Sequence, residues 1–251
     1  MVPLVEGVPG AQERGLYVRL KHALSELTLR ATAQPTGARF VAWMAAYARL
    51  AASGEAVPEE DVRAEAVRLA RPAGWALSSS DLAPLIRVRV LWRGAGRLSA
   101  PRAYRPHWRY FRQQADRLHR AVLFLMDPPP APEPERSTYR GLVLFDFGLF
   151  FACHEHFEGL WREAAGEDRD FYQGLVQLAA AFYHHEKGNS RGAVALLRRA
   201  MRRLASYRPS HQGLDVDALL HQLGPWEARF ALGARAPYPV LVSSRGFTGG
   251  G

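Results

Sequence analysis

A proline-rich segment at residues 127–137, DPPPAPEPERS, limits what this chain can fold into more than any other stretch of its sequence. Five of these eleven residues are proline. Proline lacks the backbone N–H and restricts the residue before it, so neither a helix nor a central strand passes through such a segment. The sequence therefore predicts a semi-rigid linker at residues 127–137 between two domains.

The basic residues are distributed unevenly on the two sides of this linker. Residues 1–126 contain 19 Lys and Arg against 10 Asp and Glu, whereas residues 127–251 contain 14 of each. All but two of the basic residues are arginine, whose planar guanidinium favours phosphate and carboxylate partners. The first half is therefore a candidate nucleic-acid-binding region, and the alternative is a solvated arginine surface without a partner.

Helical periodicity dominates residues 1–126, which we predict to form a basic, mostly helical domain. Apolar stripes begin near Leu16, Phe40 and Trp108, and Pro58 followed by three acidic residues marks a further helix start. Residues 80–105 allow two interpretations, a helix capped by Ser80 or Asp81, or a β-hairpin turned by RGAG. Helices followed by a basic hairpin would resemble a winged helix. The candidate nucleic-acid contacts are Arg87, Arg89, Arg93, Arg97, Arg102 and Arg105.

The second half predicts a helical domain at residues 138–232, followed by a flexible tail at 233–251. Gly148 is expected to stop one helix, and Asn189 or Ser190 to cap another. The predicted helices span residues 138–147, 149–164, 168–187, 190–206 and 215–223. Pairs of these helices resemble tetratricopeptide-type hairpins, but two hairpins are too few for a solenoid. The predicted fold class is all-α, a small helical bundle whose spare faces are closed off or buried in a homo-oligomer.

Polar residues interrupt the apolar face of the helix that carries FFACHEHFEGLW, residues 150–161. At about 100° per residue, His154, Glu158 and Trp161 share one side with the phenylalanines, Glu155 lies on a flank, and His156 points toward solvent. The next helix carries a matching stripe of Gln173, Gln177 and His184. Because buried polar groups are normally hydrogen-bonded, we interpret these residues as a structural network or a binding site.

Two chemical alternatives compete with the structural network. A hydrolase would use Glu158 or Glu155 as the base with His154, but the sequence shows neither a nucleophile beside them nor a phosphate-binding loop. Cys153 would act as a nucleophile only if exposed, and its angle on the helix favours packing. The segment reads HEHFE and not HExxH, so the zinc-protease helix is absent, and we predict no metal and no cofactor.

The pieces FGLFFACHEHFEGLW, RDFYQGLVQLAAAFYHHEKGNSRGAVALLRRAMRRL and GLDVDAL together resemble the bacterial and archaeal family known as domain of unknown function 309. The resemblance covers about a third of the chain and leaves residues 1–126 outside. It implies a compact all-helical fold without an assigned activity, and site positions at His154, Glu155, Glu158 and Trp161. His156 stands where this family usually has an apolar residue.

These observations predict a non-catalytic interaction module, with nucleic-acid binding and a His/Glu hydrolase as the alternatives. The single cysteine excludes an internal disulfide, and no apolar run approaches the ~18 residues that span a bilayer. The start, MVPLVEGVPG, lacks the pattern of a signal peptide. We therefore expect a cytoplasmic protein without membrane contact.

Overall fold

The computed structural model describes residues 11–234 and 236–242, with side chains from residue 15 onward. The described residues are predominantly α-helical with short antiparallel strands, which confirms the predicted all-α class. The described residues divide into two compact units, one of residues 11–31 and 36–119 and the other of residues 32–35, 120–234 and 236–242. The linker at 127–137 and the likeness to tetratricopeptide hairpins stay predictions.

The first unit is built around a helix that is apolar on every side. Its helices are α2 (Phe40–Leu50), α3 (Glu59–Ala70) and α4 (Ala83–Arg87), together with α1 (Ala11–Ala33) as far as residue 31 and α5 (Trp108–Phe124) as far as residue 119. Every residue of α2 from Phe40 to Ala48 is buried, as expected of a helix without a polar face. Tyr47 crosslinks this core, because its hydroxyl donates to Glu55 O at 2.9 Å and accepts from Ala100 N–H at 2.7 Å.

The stretch with two interpretations contains both structures in succession. The helical part begins at Ser78, whose N–H donates to Asp81 Oδ2 at 2.7 Å, so the cap is Ser78 and not Ser80. The hairpin follows, with β2 (Trp92–Gly94) and β3 (Arg97–Ser99) paired antiparallel and β1 (Val57–Pro58) on the other side of β3. Ala95 and Gly96 both have positive φ, which is typical of the type I′ turn.

The second unit agrees closely with the predicted helices. They are α6 (Glu135–Asp146), α7 (Phe150–Glu163), α8 (Gly166–Glu186), α9 (Ser190–Leu204), α10 (Val216–Leu223) and α11 (Trp226–Ala231). Gly148 has φ 71° after α6, and Asn189 caps α9 by accepting from Gly192 N–H at 2.9 Å. The largest differences are that α6 begins three residues earlier than predicted and that the sequence pattern did not predict α11.

Aromatic side chains from several helices form the core of this unit. α7 packs against α6 and α8, and α9 packs against α8, α10 and α11. Phe182 contacts Phe145, Trp226 and Phe230, with ring centroids 4.7–5.0 Å apart. Within the stretch predicted as a tail, the buried Leu241 and Val242 donate their N–H groups to Asp146. Residues 243–251 lie outside the described residues.

Candidate functional site

The buried side of α7 is centred on Cys153 and not on His154. Phe150, Cys153 and Phe157 are at most 1% exposed, and Cys153 Sγ donates to Gly141 O of α6 at 3.3 Å. A Cβ on Gly141 would lie 2.3 Å from Phe157 Cζ, so this glycine lets α6 approach α7 closely. The prediction that His154 lies in the middle of the buried face is therefore wrong by about one residue step of ~100°.

His156 is the histidine of α7 that packs against α6, beside Gly141, although its surface is only half-buried. Its Nε2 lies 2.8 Å from Ser137 O, so Nε2–H donates to that carbonyl. Burial lowers the pKa of His156 below its usual value, so the ring is neutral near pH 7. The prediction that His156 faces solvent is wrong, because its side chain lies in the seam beside Gly141.

His154 and Glu158 lie on the outer side of α7. Each side chain is 30% exposed, and His154 Nδ1 is 3.9 Å from Glu158 Oε2. Glu158 also accepts a hydrogen bond from Arg162, one turn later. The ring of His154 stacks on that of Phe151. Glu155, on the flank, is half-buried.

Two contacts between α7 and α8 fix the register of this outer side. Near one end, Arg169 Cζ lies 4.5 Å from the ring centroid of Trp161, and Arg169 Nη1 donates to Trp161 O at 3.1 Å. Near the other end, the rings of Phe151 and Tyr183 are 5.5 Å apart. Between these two contacts, both helices carry half-buried polar or aromatic side chains. We call this set the α7–α8 face, and its residues are His154, Glu158, Trp161, Gln173 and Gln177.

His184 has a local partner of its own. Asn189 Nδ2 donates to His184 Nδ1 at 2.8 Å, while Asn189 Oδ1 caps α9. A Cβ on Gly192 would meet both of these side chains at 2.7 Å. His184 thus closes the Gly188–Asn189 turn between α8 and α9.

The surroundings of Cys153 argue against a role for this cysteine as a nucleophile. Cys153 is fully buried, and burial raises the pKa of its thiol well above the usual value. Among the residues that the structure describes, no three His, Cys, Asp or Glu side chains are placed to hold a metal ion.

The arginines proposed as nucleic-acid contacts fall into two groups. Arg93 donates to both carboxylate oxygens of Glu59 at 2.7 Å, and Arg97 Nη2 donates to Ala56 O at 2.7 Å. Arg87 Nη2 lies 3.5 Å from Glu26 Oε1. The other three are exposed and form no ion pair with any described residue; they are Arg89, Arg102 and Arg105.

A cluster that the sequence interpretation did not include lines a cleft of about 290 Å³ between α8 and α9. We call it the arginine cleft, and its residues are Asp170, Gln177, Arg199, Arg202 and Arg203. The signal was present, because arginines three and four positions apart on α9 share one side of that helix.

Comparisons with known proteins confirm the resemblance for residues 138–196. Residues 138–196 match the family described as a domain of unknown function (DUF309). The uncharacterized protein YpuF of Bacillus subtilis (strain 168) is 35% identical over 69 residues, which is 27% of this chain and 40% of YpuF. The matched stretch thus spans less than half of that relative. No solved structure matches the chain. None of the described helices has the length and apolarity needed to cross a membrane.

Proposed function

We propose that the helical unit formed by α6 to α11 is a non-catalytic interaction module that binds a partner macromolecule through the α7–α8 face. The observation that carries this proposal is the position of the candidate residues. His154, Glu158 and the two glutamines lie half-buried on the outside of two packed helices. Side chains in this position are held by their neighbours and remain accessible, which suits them for contacts with a partner.

The composition of the α7–α8 face supports protein recognition. Trp161 offers a large apolar ring with a polar edge, and Gln173 and Gln177 each offer an amide donor and acceptor. Aromatic side chains and arginine are enriched where proteins bind each other, and Arg169 lies directly over Trp161. A surface of this kind provides both area and hydrogen bonds for a partner.

Site-specific photo-crosslinking in living cells tests this proposal. A benzoylphenylalanine at position 173, on the α7–α8 face, is compared with one at Gln222, an exposed glutamine of α10. We expect discrete adducts from position 173 and none of the same mass from position 222. An adduct of twice the chain's mass would identify a second copy as the partner, as the predicted homo-oligomer requires. No adduct at position 173, or the same adducts at both positions, would contradict the proposal.

A further inference from the structure

The arginine cleft exists because α8 and α9 approach each other closely at a glycine. A Cβ on Gly174 would lie 2.8 Å from Leu204 Cδ2, which is buried in α9. Asp170 and Gln177 lie one turn before and after Gly174, so they share its side of α8. This packing places both side chains against the arginines of α9, where they line the cleft.

The charges in the cleft do not cancel. It contains three guanidinium groups and one carboxylate, and that carboxylate, of Asp170, accepts a hydrogen bond from Arg203. Arg199 and Arg202 are exposed, and no described residue forms an ion pair with either. Arg198, the next residue along α9, differs because it pairs with Glu227 of α11. The positive charge left in the cleft therefore favours an anionic group.

Two buried polar atoms of the cleft identify the kind of anion. Arg203 Nε and Gln177 Oε1 are enclosed, and neither has a hydrogen-bond partner among the described residues. Buried polar atoms normally have partners, so a ligand that supplies both an acceptor and a donor would complete the cleft. A carboxylate supplies acceptors for the guanidinium groups, and a backbone N–H supplies the donor for Gln177. An acidic peptide carries both groups.

We propose that the arginine cleft binds an acidic peptide segment of the partner protein. A glutamate or aspartate carboxylate accepts from Arg203 Nε and from Arg199 and Arg202 beside it, and a neighbouring backbone N–H donates to Gln177 Oε1. This inference rests on the proposed function and specifies it, because Gln177 belongs to both the cleft and the α7–α8 face. It assigns to α9 a binding role that α9 would not have as a solvated helix.

Fluorescence anisotropy with the full chain tests the proposal. The probe is a fluorescein-labelled peptide of alternating glutamate and serine, and the control peptide has glutamine in place of glutamate. We expect the acidic peptide alone to bind, and the double variant Arg199→Gln/Arg202→Gln to weaken binding by about tenfold or more, because two charge-assisted hydrogen bonds are removed. The matched control, Arg198→Gln/Arg229→Gln, has the same net charge and should change the affinity less than about twofold.

A third variant tests the hydrogen bond to the peptide backbone. Gln177→Leu keeps the approximate shape of the side chain and all the charges of the cleft. We expect it to weaken binding of the acidic peptide severalfold. Circular dichroism melting of each variant confirms that it is folded. Equal losses of peptide affinity in the two double variants would show that the peptide binds by net charge only, and this would overturn the proposal. Displacement of the peptide by equimolar inorganic phosphate would also overturn it, because the cleft would then be a simple anion site.

The two proposals fail in different ways. If position 173 gives crosslinks but the acidic peptide does not bind, the interaction module stands and the assignment of an acidic partner is wrong. If the peptide binds through Arg199 and Arg202 but position 173 gives no crosslinks, the cleft stands and the α7–α8 face is not the docking surface.

Discussion

His154 and His156 are two positions apart on α7, and their surroundings predict opposite responses to mutation. His156→Ala removes the donor to Ser137 O and opens space beside Gly141, so we expect it to lower the unfolding free energy by about 2–4 kcal/mol at pH 7.5. His154→Ala is the control, since that side chain is 30% exposed and its Nδ1 lies 3.9 Å from Glu158 Oε2, so the expected loss is below about 1 kcal/mol. Urea titrations measure the unfolding free energies of both variants. Equal losses of stability would contradict the conclusion that His156, and not His154, packs in the core.

The pH dependence of the unfolding free energy, compared between wild type and His156→Ala, gives a second measurement. Burial lowers the pKa of His156 below its usual 6.5, so the unfolded chain takes up a proton more readily than the folded one. The stabilisation from the neutral ring is complete above pH 6.5 and is lost as the pH falls through the lowered pKa. We therefore expect the difference between wild type and His156→Ala to shrink between about pH 7.5 and pH 5.

The rotation of α7 was the part of the site that sequence alone did not predict. The phenylalanines flank the buried side, and the small Cys153 marks its centre, so a count of large aromatic residues points to the wrong angle. A better signal was the apolar residue that the family usually has at the position of His156. In this chain an imidazole occupies that position, and its Nε2–H donates to the carbonyl oxygen of Ser137.

Glu158→Ala illustrates what this rotation changes. A buried glutamate within a network would cost ~1–3 kcal/mol when removed, which is the effect expected from the sequence interpretation. In the structure Glu158 is 30% exposed and paired with Arg162, so the expected loss falls below about 1 kcal/mol. The residues that the sequence selected remain candidates, but for contact with a partner and not for core stability.

At the scale of elements, the packing of α6 against α7 depends on Gly141. We expect Gly141→Ala to lower the unfolding free energy by about 1–3 kcal/mol, because the new methyl would overlap the ring of Phe157. The matched control is Gly159→Ala on α7, where no atom lies within 4 Å of the added Cβ. That change should stabilise the helix by about 0.5–1 kcal/mol. Thermal or urea unfolding measures both, and a stabilising Gly141→Ala would contradict the close approach.

Element boundaries were more predictable than element contacts. The stop at Gly148 and the cap at Asn189 follow from local chemistry, since a positive φ favours glycine and an asparagine side chain accepts from the next turn. α11 has six residues, too few to show a helical period, so it was overlooked although Pro225 and Gly233 bracket it. Its contribution comes from tertiary packing of Trp226 and Phe230, which local pattern does not reveal.

For the molecule as a whole, α11 determines which fragment of the second unit is expected to fold by itself. We expect residues 120–251 to fold alone as a cooperative helical unit, whereas a fragment that ends at residue 224 should lose cooperative unfolding. The shorter fragment lacks Trp226 and Phe230, which are at most 1% exposed and contact Phe182. Circular dichroism during heating distinguishes the two. An equally sharp transition for both fragments would show that α11 is dispensable.

The charge of the first half makes a separate prediction for the whole chain. If it binds nucleic acid, the affinity for a DNA duplex should fall linearly with the logarithm of salt concentration, because arginine–phosphate contacts release counterions. Replacing Arg89, Arg102 and Arg105 by glutamine should then reduce the slope by about 0.9 for each phosphate that is no longer neutralised. The matched control replaces Arg87, Arg93 and Arg97, which already have partners in the chain, and should change the slope less.

Anisotropy titrations at low and moderate salt decide between a binding surface and a solvated one. Electrostatic attraction is strongest at low ionic strength, because the Debye length grows from about 10 Å at 0.1 M to about 30 Å at 0.01 M. An absence of binding there would end the nucleic-acid interpretation. Equal changes of the salt slope in the two triple variants would instead show attraction by net charge alone. Arg93 is paired with Glu59, so it is less available to a phosphate than an exposed arginine without an ion pair. Only a larger effect of the exposed set would identify a surface built for phosphate.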